Sequence, residues 1–208
     1  MNRYSIVAVA AFVLAGCNGS KDANKSNFQA AIQAYLDTTT GACVPLPDKE
    51  MPFKIEQADG FGKDRRLRAD ALVEAGLLTR KGAEVPQFPG SNRLVPGFEY
   101  ALTEAGRKQL VKGAGGNLAN WDGFCAGKYK VVSIANFTDP ANLFGSQVSQ
   151  VNYRYKIEAP AKWAALPAIQ AAFPKLARDM KDDAADKAVL VLTNDGWMHE
   201  RLFKAASH

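Results

Sequence analysis

Histidine and cysteine are scarce in this chain. There are two histidines, His199 and His208, and three cysteines, Cys17, Cys43 and Cys125. Neither histidine stands at ligand spacing from a cysteine, so a zinc site is not expected, nor any other metal site. A G-x-S-x-G elbow, an H-E-x-x-H helix and a G-x-x-x-x-G-K-[ST] loop are all missing. "GFGKD" at residues 60–64 has glycines and a lysine without that spacing or the following Ser/Thr, and reads as a turn. Asp182, Asp183 and Asp186 lack the glycine and closing glutamate of a calcium loop and read as a solvated helix end. No cofactor is called for, and no catalytic residue. Charge of one sign is also missing: 26 Lys and Arg face 21 Asp and Glu, and the net +5 is interspersed. It reads as a solvated surface, with lipid headgroups or lipopolysaccharide the anionic partners a basic face would suit. Residues 6–14 are the one long apolar run, well short of the roughly 20 that span a bilayer. There is no internal repeat.

What is present begins with that run. Arg3 and the initiator amine precede it, and the small residues Ala15 and Gly16 follow. This is the layout of a secretory signal peptide over residues 1–16. The segment Leu14-Ala15-Gly16-Cys17 resembles the lipobox of bacterial lipoproteins. The resemblance implies cleavage before Cys17, a diacylglyceryl thioether on its sulfur and an acylated amine. Several acyl chains of the palmitate type on one residue anchor stably. The alternative is an ordinary signal peptide with an incidental cysteine. Asn18 stands where aspartate favours inner-membrane retention in the enterobacterial sorting pattern, which implies the outer membrane. "NGSKDANKS", residues 18–26, is polar and aperiodic, so residues 17–26 read as a lipidated tether.

With Cys17 assigned to lipid, Cys43 and Cys125 remain in an oxidising compartment, and a disulfide between them is expected. It would close a loop of about eighty residues and contribute about 2–4 kcal/mol. Two buried thiols are the alternative. About 190 residues follow the signal, room for one domain or two small ones.

"NFQAAIQAYLD", residues 27–37, carries Phe28, Ile32, Tyr35 and Leu36 at helical spacing, with Ser26 or Asn27 as cap. Phe53 to Glu56 alternates like a short strand. Within residues 64–78, a helix capped by Asp64 is expected to bury Leu67, Ala71, Leu72 and Ala75 and to stop at Gly76. A strand from Leu77, a strand at residues 98–102 and a helix capped by Thr103 follow. "LVEAGLLTR" and "YALTEAGRKQL" resemble winged-helix domains over residues 64–111. That resemblance implies phosphate contacts by Arg65, Arg66 and Arg68. An anchored envelope protein meets no chromosome, and "LPDKEMPFKIEQADGFG" is a poor first helix of such a unit, so nucleic acid is not expected as a partner. The Gly- and Asn-rich residues 112–123 mark a boundary, giving a helix–hairpin–helix domain at 27–115 and an antiparallel domain at 116–208.

The second half reads as strands at residues 129–137, 148–158, 187–193 and 197–203. Val151, Tyr153, Tyr155 and Ile157 share one face. Pro167 and Pro174 divide the helical stretch between the second and third of these strands. Asp195-Gly196 suits a tight hairpin turn. The expected fold is α+β: a winged-helix-like unit, then a four-stranded antiparallel sheet with a helical crossover over one face. Tyr153, Tyr155, Trp163 and Trp197 are candidate ligand-groove residues, with a packed core as the alternative. His199 lacks a paired nucleophile and reads as structural. The expected function is a non-catalytic envelope lipoprotein that binds a protein or envelope component. A carrier of an apolar ligand or lipid, held near Trp163, is the alternative.

Overall fold

The computed structural model describes residues 19–58, 60, 62–88, 90–115, 120–143 and 145–206. Signal, lipobox, Cys17, Asn18 and His208 lie outside them. The first element is α1, Lys25–Asp37, whose stripe of Phe28, Ala31, Ile32 and Leu36 is buried. Its cap is Asn24, earlier than the sequence predicts; the Asn24 side chain accepts from the Asn27 N–H at 2.9 Å. Two short strands follow, β1 (Cys43–Pro45) and β2 (Phe53–Glu56). Helix α2 spans Lys63–Glu74, with Asp64 in its first turn, and the chain leaves it through Gly76 at φ 71°. Ala69, Ala71 and Leu72 are its buried residues, while Leu67 is 51% exposed, contrary to expectation. Ala69 and Ala71 lie on either side of Leu72 around the helix, and Leu67, five residues before Leu72, stands about 140° from it and so turns outward.

A long hairpin comes next, β3 (Leu78–Pro86) and β4 (Leu94–Leu102), in register from Leu78↔Leu102 to Pro86↔Leu94. Strand β2 takes the other side of β4, giving the antiparallel order β2-β4-β3. Thr103 caps α3 (Glu104–Gln109), its hydroxyl accepting from the Gly106 N–H at 2.8 Å. Strands β5 (Leu110–Val111) and β6 (Gly123–Cys125) then pair, and β1 completes a small sheet in the order β1-β6-β5. In sequence, the Gly- and Asn-rich stretch lies between these two paired strands.

Strands β7 (Lys128–Phe137), β8 (Ala141–Leu143) and β9 (Ser146–Glu158) lead to a 3-10 turn (Lys162–Ala165) and helices α4 (Pro167–Ala172) and α5 (Pro174–Asp179). Each proline starts a helix, where its missing N–H costs nothing. Strands β10 (Ala185–Thr193) and β11 (Gly196–His199) and helix α6 (Glu200–Ala206) finish the chain. All pairing is antiparallel, in the order β11-β10-β9-β7, with β8 added beside β9. Mixed helices and antiparallel sheets make the class α+β. Two details differ from the sequence reading. The last strand stops at His199, because the His199 Nδ1 accepts from the Arg201 N–H at 3.2 Å and starts α6. The β10–β11 turn is Asn194-Asp195, since Thr193 pairs with Gly196, and Gly196 takes φ 123°.

Two hydrophobic clusters hold the molecule, and they do not divide at residues 115 and 116. In one, α1 lies on the β7-β9-β10-β11 face and buries Phe28 and Ile32 against Ile134, Val151, Leu190 and Trp197. In the other, Trp163, Ile169 and Leu176 pack with Leu72, Leu77, Tyr100 and Phe124. Helix α4 therefore packs largely with α2, α5 lies against β9 and β7, and α1 takes the larger share of the sheet face that the sequence assigns to a crossover. The Cys43–Cys125 disulfide joins β1 to β6, directly opposite one another, across 82 positions of sequence.

Residues 19–24, assigned to a flexible tether, lie against this body. The Trp197 Nε1 donates to the Lys21 carbonyl at 3.1 Å, and the Asn27 Nδ2 donates to the Gly19 and Asp22 carbonyls at 2.9 Å. A Cβ on Gly196 would stand 2.8 Å from the Ser20 carbonyl oxygen.

Candidate functional site

Tyrosines accumulate where the C-terminal end of α1 approaches β9 and β10. Tyr153 and Tyr155 come from the inward face of β9, Tyr129 from β7 and Tyr35 from α1. With Lys175 of α5, Asp186 and Lys187 of β10, and His199 to Arg201 at the start of α6, they line a cleft of about 760 Å³.

Its floor is fixed by Asp179, only 4% exposed at the end of α5. The Tyr129 hydroxyl donates to Asp179 Oδ2 at 2.5 Å and the Tyr155 hydroxyl to Oδ1 at 2.8 Å. The Lys175 Nζ donates to Oδ2 at 2.6 Å and to the Tyr129 oxygen at 2.9 Å. Both carboxylate oxygens are thus engaged, and a buried charge is compensated. The tyrosine rings are held edge-on, 5.5 Å between centroids.

The rim is built from α1 and α6. Tyr35 stacks on His199 with centroids 3.9 Å apart, and Arg201 donates to the Tyr35 hydroxyl oxygen at 2.9 Å. Burial pulls the His199 pKa below its usual value. Burial also raises the pKa of Tyr129, Tyr153 and Tyr155, with Asp179 adding to the rise for Tyr129 and Tyr155 and Asp186 for Tyr153. At neutral pH the cleft therefore presents protonated phenols and an uncharged imidazole. Lys175, Lys187 and Arg201 stand there beside Asp186 and Glu200. Such a set suits a polar ligand held by stacking, hydrogen bonds and paired charges.

The four candidate groove residues do not meet. Tyr153 and Tyr155 line the cleft. Trp197 packs on Phe28, with centroids 4.9 Å apart. Trp163 belongs to the other cluster, packed among core residues, and its buried Nε1 has no hydrogen-bond partner. The sequence reading missed Tyr129, Asp179, Lys175 and Arg201. The i, i+4 spacing of Lys175 and Asp179 was the available signal, but nothing local distinguishes Asp179 from the solvated aspartates that follow it. Two of the α2 arginines are engaged within the chain. Arg65 binds Asp48 and the Pro47 carbonyl, and Arg66 binds the Gln57 and Ala58 carbonyls.

Among the described residues, no three His, Cys, Asp or Glu side chains gather as a metal-ligand set. No helix among them is long and apolar enough to cross a membrane. No protein-family model, curated protein or solved structure matches the chain.

Proposed function

We propose that this is a non-catalytic lipoprotein of the bacterial envelope, anchored through Cys17, whose tyrosine-lined cleft binds an envelope component. The cleft carries the reading. Its aromatic walls, protonated phenols and charges of both signs suit a hydroxyl- or amide-rich partner, such as an extended peptide or a glycan. The lipobox supports the anchor, and Asn18 favours the outer membrane.

A second surface belongs to the same reading. Helix α2, the β3–β4 hairpin and the Thr103-capped α3 support the resemblance to a winged-helix-like unit. Arg65 and Arg66, spent on chain carbonyls and Asp48, favour its use in protein contact over phosphate binding. The apolar-carrier alternative gains no support from Trp163, which stands in a packed core.

The test is photocrosslinking in intact envelopes, with a photoreactive residue at Lys187 in the cleft or at exposed Val132 on β7. A discrete adduct from Lys187 alone, lost on Arg201→Glu, is the expected result. No adduct from Lys187, together with a large rise in melting temperature from a small apolar molecule, would favour the carrier. Labelling with a fatty-acid analogue should fail on Cys17→Ser.

A further inference from the structure

We infer that the end of the large sheet bearing the β8–β9 and β10–β11 turns rests on the lipid surface, with the floor of the tyrosine cleft held away from it. This rests on the Cys17 anchor proposed above and adds an orientation to it.

The short distance from anchor to fold is the first observation. Cys17 precedes Gly19 by two residues, which span at most about 7 Å of chain. Gly19 is already fixed: its carbonyl accepts from the Asn27 side chain and from the Asp22 N–H at 3.0 Å. Lys21 is held by Trp197, and Ser20 lies against Gly196. An acyl chain on Cys17 thus has little slack, and the first membrane-proximal parts of the body are the start of α1 and the β10–β11 turn.

Register supplies the second. Val191 pairs with Val148, Leu143 with Ser146 and Thr193 with Gly196, so both turns leave the sheet at the same end. Leu143 is 51% exposed there. An apolar side chain at a turn on the same end of the sheet as a lipid attachment point is suited to the headgroup boundary. Exposed Lys21 and Lys25 lie near the same end and favour anionic lipid. Asp22 and Asp195 oppose them, so the anchor and Leu143 carry the contact.

The third observation is the placement of the cleft. Seven residues of β10 separate Thr193 from Asp186, about 23 Å of strand. Helix α1 likewise runs about 20 Å from the anchored end to the cleft residues Thr39 and Thr40. The floor of the cleft is therefore lifted clear of the bilayer and open to a partner.

The experiment uses the lipidated full chain in nanodiscs of phosphatidylethanolamine and phosphatidylglycerol, a small fraction of the lipid carrying a gadolinium chelate. Amide NMR signals of Asn142, Leu143, Gly145 and Asn194 should be lost, while those of Thr40, Asp186 and Lys187 persist. Inserting about ten Gly and Ser residues between Asn18 and Gly19 should restore the lost signals. The orientation is overturned if the N-terminal peptide carries lipid by mass and yet the losses fall on the cleft or spread evenly. A Cys17 without lipid would overturn the anchor itself, and mass spectrometry separates that failure from the other.

Discussion

Asp179 shows how one side chain can organise a site. It receives two phenol hydroxyls and a lysine from three different elements, and it is buried. Replacing it with alanine leaves two hydroxyls without their acceptor, at a cost of about 1–3 kcal/mol. The Asp179→Ala variant should therefore lose stability by that amount in urea titration, and the Tyr129 and Tyr155 ring signals should shift together. His199 makes a second prediction, about pH. Burial lowers its pKa from 6.5, so the unfolded chain takes up the proton first. Stability is complete above about pH 6.5 and falls as the pH drops from there toward the depressed folded value. Melting temperature followed from pH 8 to 5 should show this decline, and His199→Gln should flatten it. Neither residue announced itself. Asp179 sits in "RDMKDD" among residues that are solvated, and only a fold that brings β7 and β9 beneath α5 makes it different. Tyr153 and Tyr155 were legible, because strict alternation in β9 puts them on the inward face whatever else the chain does.

At the scale of elements, local chemistry is read more easily than partnership. Gly76, Thr103, Pro167 and Pro174 each mark an end or start by a backbone rule, and the structure has ends or starts at all four. The alternation in β9 and the apolar run in β10 likewise produced strands. What covers the sheet was not legible. The sequence places helices between β9 and β10 and so offers them as the cover, but they are short: α5 reaches the tyrosine end of the sheet while α4 packs with α2. The larger cover is α1, whose stripe says only that it needs a partner. Leu67 is the same failure in small: the helix was found and its buried face was rotated. The contact between the start of the chain and β11 is testable. Trp197→Phe removes the bond to the Lys21 carbonyl and should cost about 0.5–1.5 kcal/mol. Hydrogen exchange should speed up over residues 20–25 in that variant and stay unchanged in α2. Gly196→Ala should cost more than the removal of a single hydrogen bond, because φ 123° and the Ser20 oxygen both oppose a Cβ.

At the scale of the whole molecule the two halves of the chain are interleaved. Each hydrophobic cluster draws on both, and the disulfide ties β1 to β6 between them. Residues 27–115 expressed alone should give no cooperative melt by circular dichroism, because α1 would lack its sheet and α2 would lack α4. Replacing Cys43 and Cys125 together with serine should lower stability by about 2–4 kcal/mol, measured against the oxidised protein, and reduction of the wild type should reproduce that loss. The cysteine count made this link legible, whereas the interleaving was not, because it lies in contacts between residues far apart in sequence.

The docking of α1 on β11 also has a consequence in time. Lys21 and Trp197 meet across 176 positions, so the first helix has no complete surface to bury against until nearly the whole chain has been made. Contacts this distant form late. Until then residues 19–24 lack the Trp197 donor and the Gly196 surface against which they rest. Closing of the β10–β11 hairpin would then supply both, seating the start of α1 in the same step that completes the fold.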